Sequence, residues 1–101
     1  MLLEPIGTEL DLIERHLLVL KKVIEEAPIG ILKLSEVTGM QNHKVRYSLR
    51  VLEQANLIKP SAQGAIPGDA VPKFLEEFES ELEKINDKVS RIRKIEVSIP
   101  K

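Results

Sequence analysis

Residues 39–58, GMQNHKVRYSLRVLEQANLI, combine an apolar repeat with a dense group of hydrogen-bonding side chains. Val45, Leu49 and Leu52 are spaced by four and three residues, which predicts a helix that buries this face. Arg can pair with guanine and Asn or Gln with adenine, while Lys and Tyr can bind phosphate. The residues predicted to form the exposed polar face are Gln41, Asn42, His43, Lys44, Arg46, Tyr47 and Arg50. This face therefore has the chemistry of a nucleic-acid contact.

The positive charge of the chain is concentrated in the same region. The net charge of the whole chain is −1, which argues against nucleic-acid binding by bulk charge alone. Residues 28–62 nevertheless carry five bases and two acids, whereas residues 1–27 carry six acids and three bases. Residues 63–101 are nearly balanced, with eight acids and seven bases. This asymmetry favours a local contact between residues 28–62 and a polyanion.

Length and composition restrict the other classes of function. A chain of 101 residues can form one compact domain and an extension. It has no Cys, which excludes disulfides and cysteine zinc sites. No apolar run approaches the roughly 20 residues of a membrane span, so no membrane partner is expected. The N-terminus does not have the pattern of a secretory signal, and a cytoplasmic location is expected.

The arrangement of polar residues does not predict catalysis. His43 could contact a phosphate or a base edge, whereas His16 is expected to be an ordinary surface or interface histidine. Neither histidine has a second ligand at metal-binding spacing, and the sequence contains no Ser–His–acid pattern and no glycine-rich phosphate loop. We therefore expect no enzyme activity, no cofactor and no metal site.

Pro, Gly and capping residues predict the elements that position the polar face. A first helix is predicted from Thr8, as N-cap, to about Glu26, with Asp11 completing an imperfect capping box. The apolar run at residues 29–34 predicts a short strand.

A second, short helix is predicted to begin at Ser35 and to end at Gly39. The polar-faced helix, residues 42–55, follows after a tight turn. Residues 56–69 predict a short hairpin, and residues 71–97 predict a long charged helix without internal Gly. The predicted fold class is mainly α with a small β-hairpin. It comprises one domain over residues 1–69 and a C-terminal helix over residues 70–97.

Residues 10–68 resemble a winged-helix transcription regulator, a helix-turn-helix fold. The resemblance rests on the short helix before Gly39, on the hairpin, and on the ending of the polar-faced helix at Leu52, Glu53, Leu57 and Ile58. It implies that residues 35–39 form a supporting helix and residues 42–54 a recognition helix for the DNA major groove.

The same resemblance implies that residues 59–66 form the wing. Lys59 is the only base in this segment, and it is included among the expected DNA contacts. The tip of the wing, SAQGAIPG, contains neither Arg nor Lys, so minor-groove insertion is not expected. Affinity would then come from the recognition helix and from dimerisation.

The terminal helix carries an apolar strip with heptad spacing. With Leu75 at position a, antiparallel pairing places Glu81 near Lys88 of a second copy and Glu79 near Arg93, whereas parallel pairing opposes Lys88 and Arg93. We therefore predict an antiparallel homodimer through this helix. The predicted dimerisation residues are Leu75, Phe78, Leu82, Ile85, Val89 and Ile92.

A winged helix followed by an antiparallel coiled-coil helix is similar in design to a group of small archaeal DNA-binding proteins. An alternative relative is the class of regulators in which the C-terminal helix dimerises against the N-terminal helix. A second apolar strip on the first helix, formed by Leu12, Val19 and Val23, keeps this alternative open.

The expected function is sequence-specific or general binding of double-stranded DNA by a homodimeric transcription regulator. The alternative is a winged-helix module that binds proteins of the transcription or chromosome machinery and does not bind DNA. The neutral wing and the acidic flanks favour the alternative, whereas the bases at residues 41–50 favour DNA.

Overall fold

A computed structural model describes all residues, 1–101, as two compact units, Met1–Val71 and Pro72–Lys101. The elements are α1 (Glu4–Glu26), α2 (Ile31–Thr38), α3 (Asn42–Gln54), β1 (Ile58–Ser61), β2 (Gly64–Pro67) and α4 (Val71–Ser98). The predicted class, mainly α with a small hairpin and a long C-terminal helix, is confirmed. The hairpin and the bounds of α3 and α4 agree with the sequence patterns to within one or two residues.

Helix α1 ends at Glu26 as predicted, but it begins four residues before Thr8. Pro5 lies in its first turn, where the fixed φ of proline favours the helix and no N–H is needed. The Thr8 hydroxyl donates to the carbonyl of Glu4 at 3.1 Å, a hydrogen bond made inside a helix. The N-cap prediction for Thr8 is therefore wrong, because its side chain serves the preceding turn.

Helix α2 replaces most of the strand predicted at residues 29–34. It begins at Ile31, so Ser35 lies inside the helix and is not its N-cap. Only Ile29 is strand-like, and it forms a two-bond bridge to Ala65. A short apolar run does not distinguish a strand from a buried helical turn, which explains the error. The predicted end is confirmed, since Gly39 has a φ of 73° and its N–H donates to the Ser35 carbonyl.

The hairpin pairs β1 with β2 in antiparallel register, Ile58 opposite Pro67 and Ser61 opposite Gly64. Two residues, Ala62 and Gln63, connect the strands. Gly64 has a φ of 133°, and a Cβ at this position would lie 2.6 Å from the carbonyl carbon of Ile29. Only glycine fits there, because the backbone of Ile29 passes directly over it.

The core of the first unit is aliphatic. Helices α1, α2 and α3 pack against one another, while α1 also contacts β2 and α3 contacts β1. One polar residue, Ser48, is fully buried among them. The buried apolar residues are Val19, Leu20, Val23, Ile29, Leu34, Val45, Leu52, Leu57, Ile58 and Val71. The buried side of α3 thus fixes which of its side chains face outwards.

Helix α4 has 28 residues, which corresponds to a length of about 42 Å. Beyond Val71 it has no buried residue. Five of the six strip residues are 44–55% exposed, and the sixth, Phe78, is half-buried and stacks on Phe74. No helix of the protein combines the length and apolar character that crossing a bilayer requires.

Candidate nucleic-acid interface

The candidate site lies on α3, and the turn before the helix sets where it starts. Gly39 ends α2 in the left-handed conformation, and Gln41 follows in an extended conformation as the N-cap of α3. The Gln41 carbonyl accepts the N–H groups of Lys44 and Val45. No side chain caps this turn. The first N–H groups of α3 therefore remain available to an anion.

The structure places all seven predicted residues of the polar face on the exposed side of α3. The buried side consists of Val45, Ser48 and Leu52, while Leu49 is only half-buried and lies near the hairpin. Because α3 turns about 100° per residue, Arg46 and Arg50 follow each other along one line of the surface. The exposed residues are Gln41, Asn42, His43, Lys44, Arg46, Tyr47 and Arg50. We call this surface the α3 polar face.

The bases of the α3 polar face are not neutralised within the chain. The structure has six ion pairs, and none of them involves Lys44, Arg46 or Arg50. A cation without a carboxylate partner keeps its hydrogen-bond donors free for phosphate or for a base edge.

Lys59 is placed differently from the other predicted contacts. It lies on β1, and its ammonium group is 3.2 Å from a carboxylate oxygen of Asp69. Both side chains are exposed, so this ion pair is weak, but it offsets the only positive charge of the hairpin. The structure therefore groups seven of the eight predicted DNA contacts on α3 and its N-cap and leaves Lys59 outside that group.

His16 on α1 contacts two residues of α3, Ser48 and Tyr47. The sequence analysis did not predict these contacts. The Nδ1 atom of His16 lies 2.8 Å from the hydroxyl oxygen of the buried Ser48. Its ring is 5.6 Å from the ring of Tyr47, at an interplanar angle of 49°. This ring contact places Tyr47 at the edge of the polar face, against α1. His16 is therefore a partly buried residue at the contact between α1 and α3, whereas the sequence analysis expected an ordinary surface or interface histidine and assigned it no role there.

The environment of His16 disfavours its charged form. Burial of the ring, and after it the positive charge of Arg15, lower the pKa of His16 below its usual value of 6.5. Below pH 6.5 the unfolded chain therefore binds a proton at His16 more readily than the folded chain does. It follows that this residue contributes stability at neutral pH, and that the contribution is lost as pH falls from 6.5 through the lowered pKa of the folded state.

We expect the melting temperature to fall between pH 7.5 and pH 5.5, and His16→Gln to flatten this dependence. Carboxylates titrate mainly near pH 4, below this window. Calorimetry at several pH values measures the effect, with the unmodified protein scanned in parallel as the reference. An unchanged slope in His16→Gln would show that His16 does not control stability in this range.

Comparison of the chain with known protein families and with curated proteins found no match. The structure contains no group of three or more His, Cys, Asp or Glu side chains placed to hold a metal ion.

Proposed function

We propose that the protein is a homodimeric, DNA-binding transcription regulator of winged-helix design that reads the major groove with α3. The observation that supports this proposal is the α3 polar face, which presents three unpaired bases beside amide side chains. A second support is the order of elements, in which a short helix, a left-handed glycine and a hairpin surround α3.

In this proposal the residues of α3 have different tasks. Arg46 and Arg50, one turn apart, contact guanine edges or the phosphates beside them. Gln41 and Asn42 lie at the helix start, where an amide can pair with adenine and the free N–H groups can bind phosphate. His43, Lys44 and Tyr47 add phosphate contacts, which position the helix without reading sequence.

The proposal includes an antiparallel homodimer through the apolar strip of α4. This strip, which we call the α4 strip, consists of Leu75, Phe78, Leu82, Ile85, Val89 and Ile92. Antiparallel pairing opposes Leu82 and Ile85 and brings Glu81 near Lys88 of the second copy. The exposure of the strip in the single chain supports this arrangement, because covering it removes apolar surface from water. A symmetric dimer presents two α3 helices and would favour a DNA site with two half-sites.

Fluorescence anisotropy of a labelled duplex, titrated with the protein at several salt concentrations, tests the DNA-binding function. We expect the logarithm of the association constant to fall linearly with the logarithm of salt concentration, because bound bases displace counterions. The slope measures the number of phosphate contacts. Absence of binding at low salt, with a folded protein, would contradict the proposal.

One observation favours a second candidate, a winged-helix module that binds another protein. Lys59 is paired with Asp69, and the hairpin turn consists of the uncharged residues Ala62 and Gln63, so the hairpin offers no free cation to DNA. The anisotropy titration distinguishes the two functions. A DNA-binding protein changes the anisotropy of the duplex at low salt, whereas a protein-binding module without DNA affinity gives no change at any salt concentration.

A further inference from the structure

The chain exposes apolar side chains at the end of α4 and just beyond it, outside the α4 strip. Ile95 is 63% exposed and Ile99 is 53% exposed. Ile99 follows Ile92 by one heptad and therefore has the same position in the repeat. The position between them that would continue the strip is occupied by Glu96. The regular apolar seam between two α4 helices thus ends at Ile92, and the two isoleucines beyond it are not part of that seam.

The register of the proposed dimer determines which part of a second copy lies opposite this end. In an antiparallel pair, a step towards the C-terminus of one copy is a step towards the N-terminus of the other. Leu75 lies opposite Ile92, so Ile99 lies opposite Gly68, which precedes Leu75 by one heptad. Because α4 begins at Val71, this point lies before the start of the second copy's helix. The end of one α4 therefore reaches the segment that joins the hairpin to α4 in the other copy.

That segment forms one wall of a cleft of about 460 Å³ in the first unit. Two backbone hydrogen bonds join it to the residues just before β1. The N–H of Gly68 donates to the Leu57 carbonyl at 2.8 Å, and the N–H of Ala70 donates to the Asn56 carbonyl at 3.0 Å. The cleft is therefore formed in the single chain and does not depend on a partner. Its lining residues are Asn56, Ile58, Lys59, Gly68, Asp69 and Ala70.

The position of Ile95 is matched by an aromatic ring on the second helix. Ile95 is at position g of the repeat, and antiparallel pairing sets it against position g of the other helix, as it does Glu81 and Lys88. The residue opposite Ile95 is Phe74. Phe74 is half-buried and stacks on Phe78, with 5.2 Å between the ring centroids. An aliphatic side chain of one copy thus comes against an aromatic ring of the other.

The cleft has no net charge. Its ammonium and carboxylate groups, on Lys59 and Asp69, pair at 3.2 Å. The arriving segment, residues 93–101, carries three bases and one acid, and the acid, Glu96, pairs with Lys101 at 2.8 Å within its own chain. A neutral cleft lined by the buried Ile58 accepts an apolar side chain without burying an unpaired charge.

The charges beside the cleft do not oppose the contact. Lys73 and Lys94 come opposite each other in this register, but both are at position f of the repeat, which points away from the partner helix. Arg93, at position e, lies near Glu79 of the second copy. The end of α4 therefore meets one opposite charge and no like charge at the interface.

We infer that the end of α4 docks on a second copy of this chain, at the cleft beside β1 and Gly68. Ile99 enters the cleft, and Ile95 packs on Phe74. The inference rests on the antiparallel dimer of the proposed function and extends it from α4 to the base of the hairpin. Because α3 packs against β1, the contact also restrains the direction of α3 in the dimer. The two docked ends then hold both α3 polar faces in fixed positions for DNA.

Cross-linking between single-cysteine variants tests this docking, because the chain has no cysteine of its own. A tagged Ser98→Cys protein and an untagged Ala70→Cys protein are mixed, refolded together and treated with a short bismaleimide. Ser98 is exposed and Ala70 is half-exposed. Within one chain the two positions lie at opposite ends of α4, which is about 42 Å long, so a short linker cannot join them. The matched control replaces Ala70→Cys with Gln63→Cys, at the turn of the hairpin.

We expect the product of one tagged and one untagged chain for Ser98→Cys with Ala70→Cys, and little with Gln63→Cys. Equal linkage to both would show that the end of α4 is not docked and would overturn the inference. A reference mixture, Glu81→Cys with Lys88→Cys, tests the pairing of α4 with α4. If the reference mixture links and Ser98→Cys with Ala70→Cys does not, the inference is wrong while the proposed dimer stands. If no mixture links and light scattering gives a monomer, both are wrong.

Removing the two side chains that dock gives a second, independent measurement. Ile95→Ser with Ile99→Ser is expected to raise the dissociation constant of the dimer about tenfold or more, since less apolar surface is removed from water. Sedimentation equilibrium over a dilution series measures this constant. Val97→Ser is the matched control and should leave it unchanged, because Val97 is 71% exposed and lies on the opposite side of the helix. Equal constants for the double variant and the unmodified protein would also overturn the docking.

Discussion

Replacing Arg46 and Arg50 together with alanine is expected to weaken DNA binding by about 30-fold or more, since each direct contact contributes about 1–3 kcal/mol. The salt dependence should change as well, because the loss of two cations releases about two fewer counterions from DNA. Fluorescence anisotropy measures both quantities in one titration. Neither guanidinium takes part in an ion pair, so the fold should not change, and circular dichroism checks this.

The matched control for this experiment is Arg91→Ala with Lys94→Ala. It removes the same charge from exposed positions of α4 that lie outside the apolar strip. If binding depended only on net charge, the control would lose as much affinity as the α3 variant. Equal losses, or an α3 variant that binds like the unmodified protein, would show that the α3 polar face is not the contact surface.

The second large effect is expected from charge placed in the α4 strip. Leu82→Glu with Ile85→Glu should convert the proposed dimer to a monomer at micromolar concentrations, because two adjacent carboxylates from each copy would be buried without a partner. Multi-angle light scattering over a dilution series measures the change in mass. DNA affinity should fall at the same time, since a monomer presents one α3 helix instead of two.

Ser80→Glu with Ser90→Glu adds the same charge to α4 at exposed positions outside the strip. This control should keep the mass of the dimer. An unchanged mass in Leu82→Glu with Ile85→Glu would exclude the α4 strip from the dimer interface, whatever the DNA titrations give.

The elements with a regular period were predictable from the sequence. The spacing of Val45 and Leu52 located α3, and the spacing from Leu75 to Ile92 located α4. The start of α1 was misplaced because Thr8 was taken as an N-cap, whereas Thr8 bonds inside the helix and Pro5, a signal for a first helical turn, lies at the true start. The strand prediction for residues 29–34 was wrong for a different reason. Ile29 pairs with Ala65, and Ile31 begins a helix, so one apolar run is divided between two kinds of structure.

The site residues on α3 were predictable from the sequence, whereas the contacts that neighbouring elements make with them were not. Exposure of the polar residues follows from the burial of the opposite face, and this much can be derived from spacing alone. The contact of His16 with Ser48 joins residues 32 positions apart, and no local pattern gives such a distance. A signal was nevertheless present, because Leu12, His16, Val19 and Val23 lie four, three and four residues apart on one face. The pairing of Lys59 with Asp69 depends on the hairpin register and had no such signal.

Helix α4 has no buried residue beyond Val71, and this affects how readily proteases degrade the protein in the cell. A helix without tertiary packing is only marginally stable in water, and its backbone opens often. Its lysines and arginines then become accessible to trypsin-like proteases, whereas a covered helix resists them. In the proposed dimer α4 is covered, so an unassembled copy is expected to be degraded faster than an assembled one. Turnover would then remove unassembled copies of the protein selectively.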